Sequence, residues 1–117
     1  MASAEAKLRN LSVSARKARL VADLIRGKRV SDARSILQFT VKLSAEPVLK
    51  LLNSAVANME HEAHLRHLDV DTDEMVVSKV LVNEGRTLYR FQPAPRGRAM
   101  RIRKRSSHIE LVISEKE

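Results

Sequence analysis

Apolar residues recur at helical spacing in three stretches of the first half of the chain, then at every second position in two stretches of the second half. Ala18, Val21, Ala22 and Ile25 fall on one side of a 3.6-residue period. Ser14 precedes them as an N-cap and Gly27 follows as a stop, so the spacing predicts a helix from Ala15 to Arg26. Ser31 is placed to cap a second, short helix ending near Thr40. Asp32 lies in its first turn, favourable against the helix dipole, and Ala33, Ile36 and Leu37 share a face. A third and longer helix begins after Ser44. Pro47 sits in its first turn, where the missing N–H costs nothing, and Val48, Leu52, Ala55 and Met59 carry the stripe to an end near Ala63.

From Met75 the period shortens to two. Val76, Val80 and Val82 can share a face, with Ser78 as an interruption, and β-branched residues dominate, which predicts a strand. Ile109, Leu111 and Ile113 predict another whose inner face packs on the helices, and residues Ala6 to Leu11 a further one. No internal repeat or low-complexity linker divides the chain. A length of 117 residues suits one domain spanning 1–117 and excludes a cleft between two separately cored halves.

Composition limits what the core can be. Aromatics are 3% (Phe39, Tyr89 and Phe91, with no Trp), so the interior must be Leu, Val, Ile, Ala and Met. The absence of cysteine excludes disulfides, thiolate zinc sites and Cys nucleophiles, and fits a reducing, cytoplasmic setting. No apolar run approaches the roughly 20 residues that span a bilayer. Met1 to Asn10 has no apolar signal-peptide stretch, so a soluble protein without a membrane partner is expected.

The charge is strongly uneven. Residues 1–50 carry 11 basic and 4 acidic side chains, residues 51–84 carry 2 and 7, residues 85–109 carry 8 and none, and residues 110–117 carry 1 and 3, for a net +8. Two basic blocks separated by an acidic stretch predict one anion-binding side and an opposite side left to water or other partners. A strongly basic soluble chain points first to nucleic acid.

The second basic block cannot neutralise itself. From Gly85 to Arg105 it holds Arg86, Arg90, Arg96, Arg98, Arg101, Arg103, Lys104 and Arg105 and no acid. Arg101, Arg103 and Arg105 alternate, so on an extended chain neighbours project from one face about 7 Å apart and repel by about 0.6 kcal/mol even in water. Joined at both ends to antiparallel strands, the stretch most simply forms a long hairpin, broken near its tip by Pro93, Pro95 and Gly97. Arms of roughly ten residues reach about 33 Å. A two-stranded ribbon is marginal alone in water, so the alternative is a loop that orders only when phosphates neutralise it. With Tyr89 and Phe91 as the sole stacking candidates in this block, contacts should run from Arg and Lys to phosphate and read the shape of a folded RNA.

Two sharper chemistries carry less weight. His61, His64 and His67, followed by Asp69, Asp71 and Asp73, suggest a metal site, but His61-Glu62-Ala63-His64 is one residue short of the zinc-protease pattern. The aspartates also lack the glycine and terminal Glu of a calcium loop, so a polar helix end and turn is the expectation. His108 near Glu110 is the one tempting acid/base pair, without a pocket or orienting partner, and no catalytic residue or cofactor is expected. A free-standing nucleoid or duplex-RNA binder would share the charge argument but gives no reason for so long an acid-free hairpin.

Ser14 to Lys28 resembles the first-helix signature of the large ribosomal subunit protein twenty-two family, and the resemblance continues through Leu51 to Asn58. Gly97-Arg98-Ala99 and Lys104 to Ile109 are similar to the family's hairpin tip and returning strand, in the same order and spacing. The resemblance implies an α+β fold: three helices packed on a small antiparallel sheet with a long protruding β-hairpin, here 85–105, threaded into large-subunit ribosomal RNA. It implies a structural role in which the body lies near the outer end of the nascent-peptide exit tunnel and the tip helps form the tunnel wall. It further implies help in assembly by bridging several RNA domains, contact with neighbouring large-subunit proteins and with the nascent polypeptide, and no small-molecule substrate. The residues assigned to ribosomal RNA are Arg16, Lys17, Arg19, Arg26 and Lys28 in the first basic block. On the hairpin they are Arg86, Arg90, Arg96, Arg98, Arg101, Arg103, Lys104 and Arg105. Carried over by position, Leu88, Tyr89 and Arg90 fall near the tunnel's macrolide-sensitive region, and Gly97, Arg98 and Ala99 at the tip adjoin the tunnel. Two features depart from the family pattern: Pro93 is followed by Ala94 and Pro95 rather than Arg-Ala, and Tyr89 rather than a basic residue precedes Arg90.

Overall fold

The strands with alternating apolar residues meet in one sheet, and the three amphipathic helices cover its apolar face. The computed structural model describes residues 3–42, 44–93 and 99–115, with backbone alone for residues 90–93 and 99–103. Chain order is β1 (Ser3–Leu11), α1 (Ala15–Ile25), α2 (Val30–Phe39), α3 (Ala45–Leu65), a 3₁₀ turn (Thr72–Glu74), β2 (Val76–Glu84), β3 (Leu88–Pro93), β4 (Ala99–Lys104) and β5 (Ser107–Ser114). β5 is central, paired antiparallel with β1 on one side and β2 on the other; β3 and β4 form a separate antiparallel hairpin. The α+β expectation holds.

Burial follows the alternation. Ile109, Leu111 and Ile113 of β5, Val77, Val80 and Val82 of β2, and Ala4 and Ala6 of β1 are buried under the helices. From the helices come Val21 and Ile25, Val30 and Leu37, and Val48, Leu52 and Met59. Among the described residues the buried core contains no aromatic ring, as the composition requires, and Phe39 is 85% exposed. The other face of the sheet is open, which an antiparallel sheet tolerates when that face is polar; Lys7 of β1 and Glu110 of β5 pair across it at 3.8 Å.

Two expectations are corrected. In β2 the buried residue is Val77, not Val76, because the register slips between Val77 and Lys79. Ser78 is the extra residue of that bulge, its hydroxyl donating to the Val112 carbonyl at 3.2 Å, and an odd insertion moves every earlier side chain to the other face. The second helix starts at Val30 with Arg29 as N-cap, so Ser31 lies inside its first turn instead of capping it. The start is fixed by the sheet: the Gly27 N–H donates to the Val77 carbonyl at 2.9 Å, the Val77 N–H to the Lys28 carbonyl at 2.8 Å, and the Val30 N–H to the Met75 carbonyl at 2.8 Å. The third helix ends at Leu65, within two residues of the limit expected near Ala63.

The end of α3 also accounts for one of the three histidines. The His67 N–H donates to the His64 carbonyl at 3.4 Å and the Leu68 N–H to the Ala63 carbonyl at 2.9 Å, the double closure in which the intervening residue is left-handed. His67 takes that position with φ 55°. A side chain there costs about 1 kcal/mol relative to glycine. Replacing His67 with Gly should therefore raise unfolding stability by about 0.5–1 kcal/mol in a urea titration, even after the entropy glycine adds to the unfolded chain. A loss of stability would show that the imidazole does more than end the helix.

Candidate nucleic-acid interface

The first turns of α2 and α3 carry acids, Asp32 and Glu46, where the helix dipole favours them. α1 inverts this rule: its first turn holds Arg16 and Lys17 and no acid. Ser14 accepts the Lys17 N–H at 3.4 Å as the predicted N-cap. Two side-chain cations beside the positive end of a helix dipole make a local excess that an external anion would relieve.

The hairpin root brings more cations to the same place. Past Glu84 and Ser107 the ladder between β2 and β5 is held by the Gly85 N–H donating to the Ser106 carbonyl at 2.9 Å, and the Ser106 hydroxyl donates to the Arg86 carbonyl at 2.7 Å. A Cβ at Gly85 would lie 2.6 Å from the Ser106 hydroxyl and 3.2 Å from the Ser106 backbone, so a side chain here would displace the hydroxyl that holds Arg86. Pairing resumes at Leu88 opposite Lys104 and continues to Pro93 opposite Ala99. The root and the start of α1 enclose a groove of about 740 Å³, with Asn10, Ser12, Val13, Ser14 and Lys17 on one wall and Arg86, Leu88, Lys104, Arg105 and Ser106 on the other. A second groove of about 350 Å³ flanks the same helix end, between Arg16 and Tyr89, with Arg105 and Glu84 also on its walls. Glu84 is the one acid lining either groove among the described residues.

Elsewhere on the body several cations have acidic partners, although Arg9, Lys28, Lys42 and Lys79 form no ion pair among the described residues. Arg29 meets Glu74 at 3.5 Å, Arg34 meets Asp73 at 3.2 Å, and Arg66 meets Glu62 at 2.9 Å. Arg16, Lys17, Arg86, Lys104 and Arg105 form no ion pair among the described residues. Asp71, Asp73 and Glu74 lie just before β2 starts and the cationic root just after it ends, a separation of about 27 Å for a strand of that length. These three acids therefore lie at the end of β2 opposite the hairpin, while Glu84 lies at the root.

The first-block arginines divide into two kinds. Arg19 donates from Nη2 to the Val82 carbonyl at 3.0 Å, and Arg26 from Nη2 to the Val80 carbonyl at 2.7 Å while also pairing with Asp23. These carbonyls lie on the outer edge of β2, so the two guanidiniums cover backbone that would otherwise invite another strand. Lys28 is exposed and takes part in the edge through its backbone. Helical spacing showed Arg19 and Arg26 flanking the apolar stripe but could not show which strand edge lay beside them.

On the hairpin, Arg101 and Arg103 take alternate positions of β4 opposite Phe91 and Tyr89, and Arg90 lies opposite Ile102. Arg105 falls beyond the end of β4, in the root, and does not continue the strand alternation expected for the three arginines. Leu88 and Tyr89 line opposite grooves, and Ala99 opens β4. Arg96, Gly97 and Arg98 lie outside the described residues. His108 and Glu110 are not joined: Glu110 pairs with Lys7, and His108 accepts the Asn10 N–H at 3.0 Å. Among the described residues no three His, Asp or Glu side chains gather as metal ligands.

A strongly basic α+β domain that gathers cations without ion-pair partners at one end, among the described residues, has the electrostatic footprint of the nucleic-acid-binding class. The family model of ribosomal protein L22p/L17e matches residues 6–114, and the chain belongs to that family. It is 54% identical over 117 residues to the large ribosomal subunit protein uL22 of Desulfitobacterium hafniense (strain DSM 10664 / DCB-2), covering 100% of this chain and 98% of that protein. It is 50% identical over 115 residues to the protein of the same name in Pediococcus pentosaceus, covering 98% and 93%. The match to the one in Lacticaseibacillus casei is 48% over 115 residues, covering 98% and 94%.

The division of the arginines has a measurable consequence. Replacing Arg19 and Arg26 with Ala should lower unfolding stability by about 1–3 kcal/mol, since two strand-edge carbonyls lose charged donors. Replacing Arg16 and Lys17 should change it by less than about 0.5 kcal/mol, or raise it, because these two oppose the dipole. Urea titrations giving equal losses for both pairs would contradict the division.

Proposed function

We propose that the chain binds large-subunit ribosomal RNA through the cations at the start of α1 and along the hairpin, and helps assemble that RNA by holding segments of it together. On this reading the hairpin tip lines the nascent-peptide exit tunnel. The protein is a structural, non-enzymatic constituent of the large ribosomal subunit, in the cytoplasm as in its bacterial relatives. The observation that carries the RNA reading is the groove where Lys17, Arg86, Lys104 and Arg105 converge without an acid beside the N-terminus of α1. Phosphates supply the missing negative charge, and backbone shape rather than base identity is recognised.

The roles divide by position. Arg16, Lys17, Arg86, Lys104 and Arg105 take phosphates at the root, while Arg90, Arg96, Arg98, Arg101 and Arg103 take them along the hairpin. Lys28, Arg19 and Arg26 make a lesser contribution from the body. Leu88, Tyr89 and Arg90 meet the tunnel region at the near end of the hairpin, and Gly97, Arg98 and Ala99 meet the nascent polypeptide at the far end. Neighbouring large-subunit proteins are the partners of the acidic end.

Changing Arg101, Arg103 and Arg105 together to Ala should weaken binding to a large-subunit RNA transcript. It should also reduce the slope of log affinity against log salt by about 2–3, at roughly 0.7–0.9 for each phosphate no longer neutralised. An unchanged slope contradicts those contacts. In the same preparation the protein should co-sediment with large subunits through a high-salt wash; a free pool bound to DNA would instead favour a free-standing nucleic-acid binder. Deleting Leu88 to Arg90 should alter responses to macrolides or stalling peptides and leave the circular dichroism of the body unchanged. Loss of the folded body would contradict the separation of body and hairpin.

A further inference from the structure

β1 carries one more residue than the strand it pairs with. Leu8 lies opposite Ile109 and Leu11 opposite Ser107, so three steps on β1 meet two on β5. Asn10 absorbs the difference with φ 59°, a left-handed conformation that asparagine tolerates better than most side chains. Its N–H donates to Nδ1 of His108 at 3.0 Å, an imidazole taking the place of a backbone acceptor. A ring nitrogen that accepts carries no proton, so the hydrogen bond assigns a neutral ring with its proton on Nε2. The Nε2 edge lies over Gly85, where a Cβ would come within 3.2 Å of it. One ring thus bridges the end of β1 and the base of the hairpin, which are the two walls of the groove that holds Lys17, Arg86 and Lys104.

We propose that His108 is the positioning residue of this groove: as a neutral acceptor it holds the Asn10 bulge, and with it the turn leading into α1, against the hairpin root, and protonation releases that wall. The inference rests on the reading of the groove as an RNA site. The charged groups around the ring come from two strands of the open face, Lys7 and Arg9 on β1 and Glu110 on β5. Lys7 and Glu110 are occupied with each other at 3.8 Å. On β2 the pairing partner of His108 is the uncharged Asn83, and the next residue, Glu84, lines the groove beside Arg16 instead. A second proton on the ring would remove the Nδ1 lone pair and set two donors face to face.

The sign of the pH effect separates this role from an ordinary one. A histidine that touches phosphate binds RNA more tightly once protonated, whereas one that acts through Asn10 binds it more weakly. The test compares the full chain with His108→Ala and His108→Asn, the latter offering an acceptor near the place of Nδ1 that cannot be protonated. Affinity for a transcript of bacterial large-subunit ribosomal RNA is measured against salt at pH 7.5 and 5.5. At pH 7.5 the Ala variant should bind about five-fold more weakly with an unchanged salt slope, and the Asn variant should stay within about two-fold of the parent. On acidification the parent should lose about five-fold relative to the Asn variant, a comparison in which every other ionisable group is common to both proteins. A relative gain for the parent, or a slope reduced by about 0.7–0.9 in the Ala variant, would overturn the proposal. In the free protein, the protection of the Asn10 amide, taken relative to its intrinsic exchange rate at each pH, should fall over the same pH interval in the parent but not in the Asn variant, and identical behaviour in the two would overturn it as well. If the parent binds no ribosomal RNA, the reading of the groove falls, while Asn10 exchange still decides the role of His108.

Discussion

Like charge gathered beside a single carboxylate, Glu84, is the constraint on which the molecule turns. At the start of α1 two cations sit against the positive end of the helix dipole, and across a groove the hairpin root adds three more. In isolation each neighbouring pair costs a few tenths of a kcal/mol, which a domain stable by about 5–15 kcal/mol carries without unfolding. The cost is tolerable because the charges are surface-exposed and because the core beneath is almost entirely aliphatic, with Ser44 and Ser107 its buried polar side chains among the described residues. Surrounded by polyphosphate, the same arrangement becomes favourable, with release of condensed counterions as the main term.

The body is shaped to hold that arrangement still. An aliphatic core lets small side chains interdigitate between three helices and a three-stranded sheet, and β5, buried on alternate residues, fixes the register of both neighbours. The outer edge of β2 is closed by the α1–α2 connection at one end and by Arg19 and Arg26 further along. Those two arginines join α1 to the strand that runs into the hairpin. The direction of the finger and the position of the helix terminus are therefore set by one another, which is what a multi-point phosphate contact needs.

What could be read along the chain was whatever depends on a residue's own neighbours. Ala18 to Ile25, Val48 to Met59 and Ile109 to Ile113 show their period without help, and their elements formed within one or two residues of the expected limits. What could not be read depends on a distant segment. The shift from Val76 to Val77 follows from a bulge at Ser78 whose hydroxyl is satisfied by Val112, and Ser31 lost the capping position because Val30 donates to Met75 across the edge of the sheet. The basic residues of the interface were legible as a charge count, yet their division into edge-covering Arg19 and Arg26, and Arg16 and Lys17 without ion pairs among the described residues, needed β2 in place. His108 was the hardest to read, since its partner lies 98 residues away at a backbone N–H freed by a left-handed asparagine.

The hairpin depends on an external anion in a way the body does not. A two-stranded ribbon without a covered face is marginal in water, and this one carries repelling cations along both arms. Hydrogen exchange of the intact protein, alone and bound to large-subunit ribosomal RNA, tests this most directly. Amides of β3 and β4 should exchange far faster than those of α1 and β5 when the protein is alone, and become protected when RNA is bound. Equal protection of hairpin and body with no RNA present would contradict that dependence.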